Sequence, residues 1–102
     1  MPKISVTEFH NLSLSEAVSR IKTNLTAALQ ANSSLVSDFS EVWTDEQTLE
    51  FAFKVFGFAI NGTVLTSPEN VTANANIPLA AAMMKGTIES KMREELQKIL
   101  QS

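Results

Sequence analysis

The stretch TLEFAFKVFGFAINGTVLTSPENVTANANI, Thr48 to Ile77, decides the fold. Leu49, Phe51, Phe53 and Val55 alternate with Thr48, Glu50, Ala52 and Lys54, the period of two that puts one set of side chains on one face of a strand. Phe56-Gly57 interrupts the run, and Gly57 supplies the positive φ that a two-residue hairpin turn demands. With Val55 opposite Phe58, Phe53 faces Ile60, Phe51 faces Gly62 and Leu49 faces Val64. On this register Asn61-Gly62 lies mid-strand, and Gly62 makes room for the Phe51 ring or for a close helix. A second turn at Ser67-Pro68-Glu69-Asn70 uses the fixed φ of proline. It sets Val64 against Ala73, Gly62 against Ala75 and Ile60 against Ile77, so the same face stays apolar across three strands. Glu50, Lys54, Asn61, Thr63, Thr72, Asn74 and Asn76 fall on the other, solvated face.

Working outward toward the N-terminus, Ile4 and Val6 alternate with Ser5 and Thr7, a short strand that ends near His10. Ser13-Leu14-Ser15-Glu16 is a capping box, in which the serine hydroxyl accepts from the Glu16 amide and the glutamate reaches back. Leu14, Val18, Ile21, Leu25, Ala28 and Leu29 then form one apolar helical stripe ending near Ala31, with Asn32-Ser33-Ser34 as loop. A further strand is expected over Asp38 to Trp43, followed by a turn at Thr44 to Gln47.

Working outward toward the C-terminus, Pro78 stands where a helix tolerates it, in the first turn. Leu79, Met83, Ile88, Met92, Leu96 and Ile99 mark the expected buried stripe. Glu89 with Arg93 and Glu94 with Lys98 are spaced as ion pairs on the wet side. Gly86 marks a kink or a close contact. The expected product is a single α+β domain spanning 1–102, an antiparallel sheet of four to five strands with two helices packed on one face, in the order β-α-β-β-β-β-α.

The chain has 102 residues, a net charge of −3 and no cysteine. That length holds one core. Scattered lysines and arginines in an acidic chain argue against nucleic acid as a partner. The absence of cysteine excludes disulfides and thiolate chemistry, and the cytoplasm is the expected compartment. No signal-peptide profile and no run of membrane-spanning length occur. Five Asn-x-Ser/Thr triplets, at Asn11, Asn24, Asn32, Asn61 and Asn70, follow from an Asn- and Thr-rich composition.

Catalytic chemistry is hard to assemble from these residues. His10 is the only histidine, which leaves no multi-histidine metal site, and it reads as a strand-end residue. Asp45-Glu46 and Glu94-Glu95 are neighbours in sequence whose side chains diverge. No glycine-rich phosphate loop is present. No catalytic residue, cofactor or metal is expected. Trp43 is either a ligand platform or an edge-strand aromatic covering the core. The segment Ile77 to Met84 is apolar all round, so something must bury it. It packs inside the domain, or Leu79, Met83 and Met84 form a surface for a second copy, a partner or an apolar body.

The early strand into His10-Asn11-Leu12 with Glu16-Ala17 beyond it, Trp43 before a polar turn, Leu49-x-Phe51, Gly57, Gly62-Thr63-Val64 and Leu79 carry a resemblance, together with Lys85-Gly86-Thr87-Ile88-Glu89 ahead of a Leu-rich helix. Over Ile4 to Leu100 the chain resembles a small bacterial family, the polyhydroxyalkanoic acid system proteins, whose genes tend to lie near those for polyester storage granules. It is richer in Asn, Thr and Ala than the family's charged members. The matched positions are structural, with no active-site residue to carry over. The resemblance implies a cytoplasmic, non-enzymatic accessory protein that interacts with a granule-associated protein, the polymer surface or a second copy of itself, with a homodimer as one form. The alternative is a carrier that holds a small apolar or acyl ligand between sheet and helices.

Overall fold

A computed structural model describes residues 3–31, 34 and 36–101, without the side chains of residues 26 and 28–31. The side chains of the expected stripe positions Ala28 and Leu29, and the loop residues Asn32 and Ser33, therefore lie outside what is described. The elements are β1 (Lys3–Phe9), α1 (Leu14–Ala31), β2 (Val36–Trp43), β3 (Thr48–Val55), β4 (Phe58–Thr66), β5 (Asn70–Asn76), a short 3-10 helix (Leu79–Met84) and α2 (Lys85–Gln101). The five strands form one antiparallel sheet in the order β1-β5-β4-β3-β2.

The central register is the one the alternation predicts. Val55 pairs with Phe58, Phe53 with Ile60, Phe51 with Gly62 and Leu49 with Val64. Gly62 pairs with Ala75 and Val64 with Ala73, the ladder ending at Asn61 and Asn76, one residue before Ile60 and Ile77. The hairpin turn needs positive φ at both central positions, and Phe56 (53°) joins Gly57 (80°) there. Gly62 is required for a different reason from the one expected. A Cβ there would overlap the carbonyl oxygen of Asn74 and the Cα of Ala75, so the glycine admits the β5 backbone and not a ring or a helix.

β1 closes the sheet on the far side of β5, Ile4 opposite Ala75 and Val6 opposite Ala73. His10 pins its end. The Leu12 amide donates to Nδ1 (3.1 Å), which leaves the proton on Nε2 to donate to the Ser67 carbonyl (2.9 Å). The His10 amide donates to the Glu69 carbonyl as well. β2 begins two residues earlier than expected and carries a bulge between Ser37 and Ser40, with Asp38 at φ 54°.

Ser13 caps α1, its hydroxyl accepting from the Glu16 amide at 3.2 Å. The reciprocal half of the box is not made, because the Glu16 carboxylate turns to Arg20 (3.3 Å). The second helix starts as a 3-10 turn, and this shifts the buried stripe. With three residues per turn, Ala81 is buried and Met84 half-buried, whereas Leu79 (77% exposed) and Met83 (98% exposed) leave the stripe for solvent. From Lys85 the α-helical period returns, and Ile88, Leu96, Ile99 and Leu100 are buried, with Met92 packed against them. Gly86 makes no close contact and sits beside the junction of the two helical forms.

Candidate functional site

The two helices share the apolar face of the sheet unequally. Glu8 on β1 receives Arg93 (3.1 Å) and Gln97 (3.0 Å) from α2, and this replaces the expected pairing of Arg93 with Glu89. Arg20 on α1 reaches the Leu100 carbonyl at the end of α2 (3.2 Å). These contacts hold α2 toward the β1 edge. The β2–β3 side of the face keeps its aromatic rings with a groove above them.

The groove has a volume of about 600 Å³. One wall is Phe39, Phe51, Phe53, Val55 and Phe56 from β2, β3 and the hairpin turn. Phe51 and Phe53 stack on each other, ring centres 5.8 Å apart and planes 17° from parallel. The floor includes Val64 and Ala73, and Ile21 and Leu25 of α1 also face the space. The opposite wall is α2, where Ile88, Met92 and Leu96 run beside a polar stripe of Thr87, Ser90, Lys91, Glu94 and Glu95. Those five positions repeat at three- and four-residue intervals, which places them on one helical face.

Charges along this stripe are paired among themselves. Lys91 binds Glu95 at 3.3 Å, and Lys98 binds Glu94 at 3.3 Å and Glu95 at 3.6 Å. The hydrogen bond that Lys98 donates to Glu94 and the field of Glu95 raise the Lys98 pKa. Away from the groove, Asp45 accepts from the amides of Gln47 and Thr48, both at 2.8 Å, and the Gln47 bond lowers its pKa most.

Other singled-out residues have structural places. Trp43 is half-buried on the β2 edge, donating to Glu41 (3.1 Å) with the Lys22 ammonium 4.9 Å above its ring. Phe58 packs against the core and Phe56 is 48% exposed at the groove. Leu79, Met83 and Met84 do not line the groove; they follow the C-terminal end of β5, the sheet end that carries the Phe56-Gly57 turn. Among the described residues no group of three or more His, Cys, Asp or Glu is placed to hold a metal ion, and no helix is long and apolar enough to cross a membrane. The sequence reading named Phe51 and Phe53 as core and gave no role to Thr87, Ser90 or Lys91. The spacing of those three with Glu94 and Glu95 was the available signal.

A family model described as "Putative polyhydroxyalkanoic acid system protein" matches residues 4–100. The chain belongs to this family. The match spans every strand and both helices, so membership attaches to the whole fold and not to a local motif. No curated protein matches the chain. Among solved structures, TTHA0849 from Thermus thermophilus superposes with a TM-score of 0.51 at 12% identity, covering 97% of this chain and 94% of that one. At that identity the likeness concerns the fold alone: a second protein of unrelated sequence arranges nearly all its residues in the same α+β order.

Proposed function

We propose that this chain is a non-enzymatic, cytoplasmic accessory protein of the polyhydroxyalkanoate system that carries a small apolar or acyl guest in the groove between α2 and the β2–β3 side of the sheet. The observation that carries the reading is the groove itself. Its volume of about 600 Å³ falls within the range that encloses a small molecule, and its walls are predominantly apolar with a few polar groups along one side. A core that only had to be stable would close this space, because an open apolar wall forgoes burial worth roughly 25 cal/mol per Å². Family membership supplies the chemical context, that of aliphatic hydroxyacids and their polyesters.

The test is binding of Nile red, a neutral dye that brightens in apolar surroundings, to the purified protein. Saturable one-to-one binding is expected in the wild type and its loss in Ser90→Trp, which places an indole in the groove from an exposed helical position. No saturable binding by the wild type overturns the reading.

A second reading is favoured by one specific observation, the exposure of Leu79 and Met83. In it these two residues, with Met84 beside them, form the contact with a granule-associated protein, the polymer surface or a second copy of the chain. Co-sedimentation with polyester granules that survives in a folded Leu79→Asp/Met83→Asp variant rejects that surface.

A further inference from the structure

From the charges around the groove we infer that its guest is a neutral aliphatic molecule bearing ester or hydroxyl oxygens, and not a free carboxylic acid. This rests on the reading of the groove as a binding site and specifies what enters it. The described lining residues include a single cation, Lys91, set against Glu94 and Glu95. Lys91 is held by Glu95, Arg93 is held by Glu8 on β1, and Lys98 is held by both glutamates. An entering carboxylate gives up its hydration, meets two like charges and finds each ammonium already engaged. To gain a partner it must break an existing ion pair.

An ester group meets none of these costs. Its carbonyl oxygen accepts from the hydroxyl of Thr87 or Ser90, one helical turn apart on the groove side of α2. Its hydrocarbon chain lies along the stacked Phe51 and Phe53 rings and the aliphatic floor. The polar stripe thus selects by charge and the aromatic wall holds by area. On the α1 side, Lys22 sits over the Trp43 ring, and neither residue lines the groove.

Three ten-carbon probes that differ at one end test the assignment by displacement of Nile red at neutral pH: methyl decanoate, decylamine and decanoate. The expected order of displacement is ester first, ammonium second and carboxylate last, with ester and carboxylate separated by about tenfold or more. The ammonium probe separates charge selection from simple hydrophobicity, since it is as fully charged as the carboxylate. In Glu94→Gln/Glu95→Gln, decanoate is expected to gain at least about threefold and decylamine to lose. Decanoate displacing as well as the ester, or better than decylamine, overturns the inference while leaving the groove a binding site. Failure of the wild type to bind Nile red overturns the binding reading and this assignment with it. The wild-type comparison stands alone if the double variant does not fold.

Discussion

Replacing Gly62 by alanine adds one methyl group to a position where the β5 backbone occupies the space. The new Cβ would overlap the Asn74 carbonyl oxygen and lie 2.8 Å from the Ala75 Cα, and neither atom can rotate away as a side chain could. Relief requires β4 and β5 to part locally, and β1 lies at the margin paired with β5, so the disturbance spreads to the sheet's edge. Overpacking of this kind costs about 1–3 kcal/mol, and the entropy that alanine removes from the unfolded chain returns about 0.4–1 kcal/mol. A net loss of about 1–2 kcal/mol lowers the melting temperature by about 4–16 °C in a domain of this size. Gly86→Ala is the matched control, the same methyl placed where nothing lies within 4 Å. In a helix it is stabilising by up to about 1 kcal/mol. Thermal denaturation followed by circular dichroism should therefore shift in opposite directions for the two variants. A melting temperature for Gly62→Ala within about 2 °C of wild type refutes the close approach of the strands.

Other substitutions probe separate features. Thr66 is fully buried and its hydroxyl has no hydrogen-bond partner among the described residues, so Thr66→Val should stabilise by about 1 kcal/mol in urea unfolding. Asp45 has a lowered pKa in the folded state, so its contribution is present above the unfolded aspartate value and disappears as pH falls through the lower folded one. The melting-temperature gap between wild type and Asp45→Ala should accordingly be constant near neutrality and shrink below about pH 4. Phe56 holds a left-handed conformation that costs a bulky residue about 1–2 kcal/mol while it is half-covered at the groove. Phe56→Asn should leave stability nearly unchanged, since relief of the turn offsets lost burial of about 1 kcal/mol. The same variant should bind Nile red more weakly.

The central sheet was legible because two independent signals agreed, the period-two alternation and the turn chemistry at Gly57 and Pro68. Where a single signal operated, the reading slipped. In β2 the inward positions Val36 and Phe39 are three apart, an interval that only a bulge can produce, and a strict alternation starting at Asp38 does not reveal it. Counting a 3.6-residue period from Leu79 put that residue and Met83 inside. The chain there winds three residues per turn, and Ala81 and Met84 face inward in their place. The groove was the least legible feature. Periodicity says which side chains avoid water and nothing about how far a helix leans. That lean is set by Glu8 holding Arg93 and Gln97, residues 85 and 89 positions away in sequence.

β1 and β2 are successive strands, yet they occupy opposite margins of the sheet, and among the described residues β1 has no ladder except with β5. As the polypeptide leaves the ribosome, Lys3–Phe9 must wait for their hydrogen-bonding partner until residue 76 has been made. The β3-β4-β5 meander needs only near neighbours and can assemble first. Chaperone demand should therefore fall on β1, the strand that stays unpaired longest during synthesis.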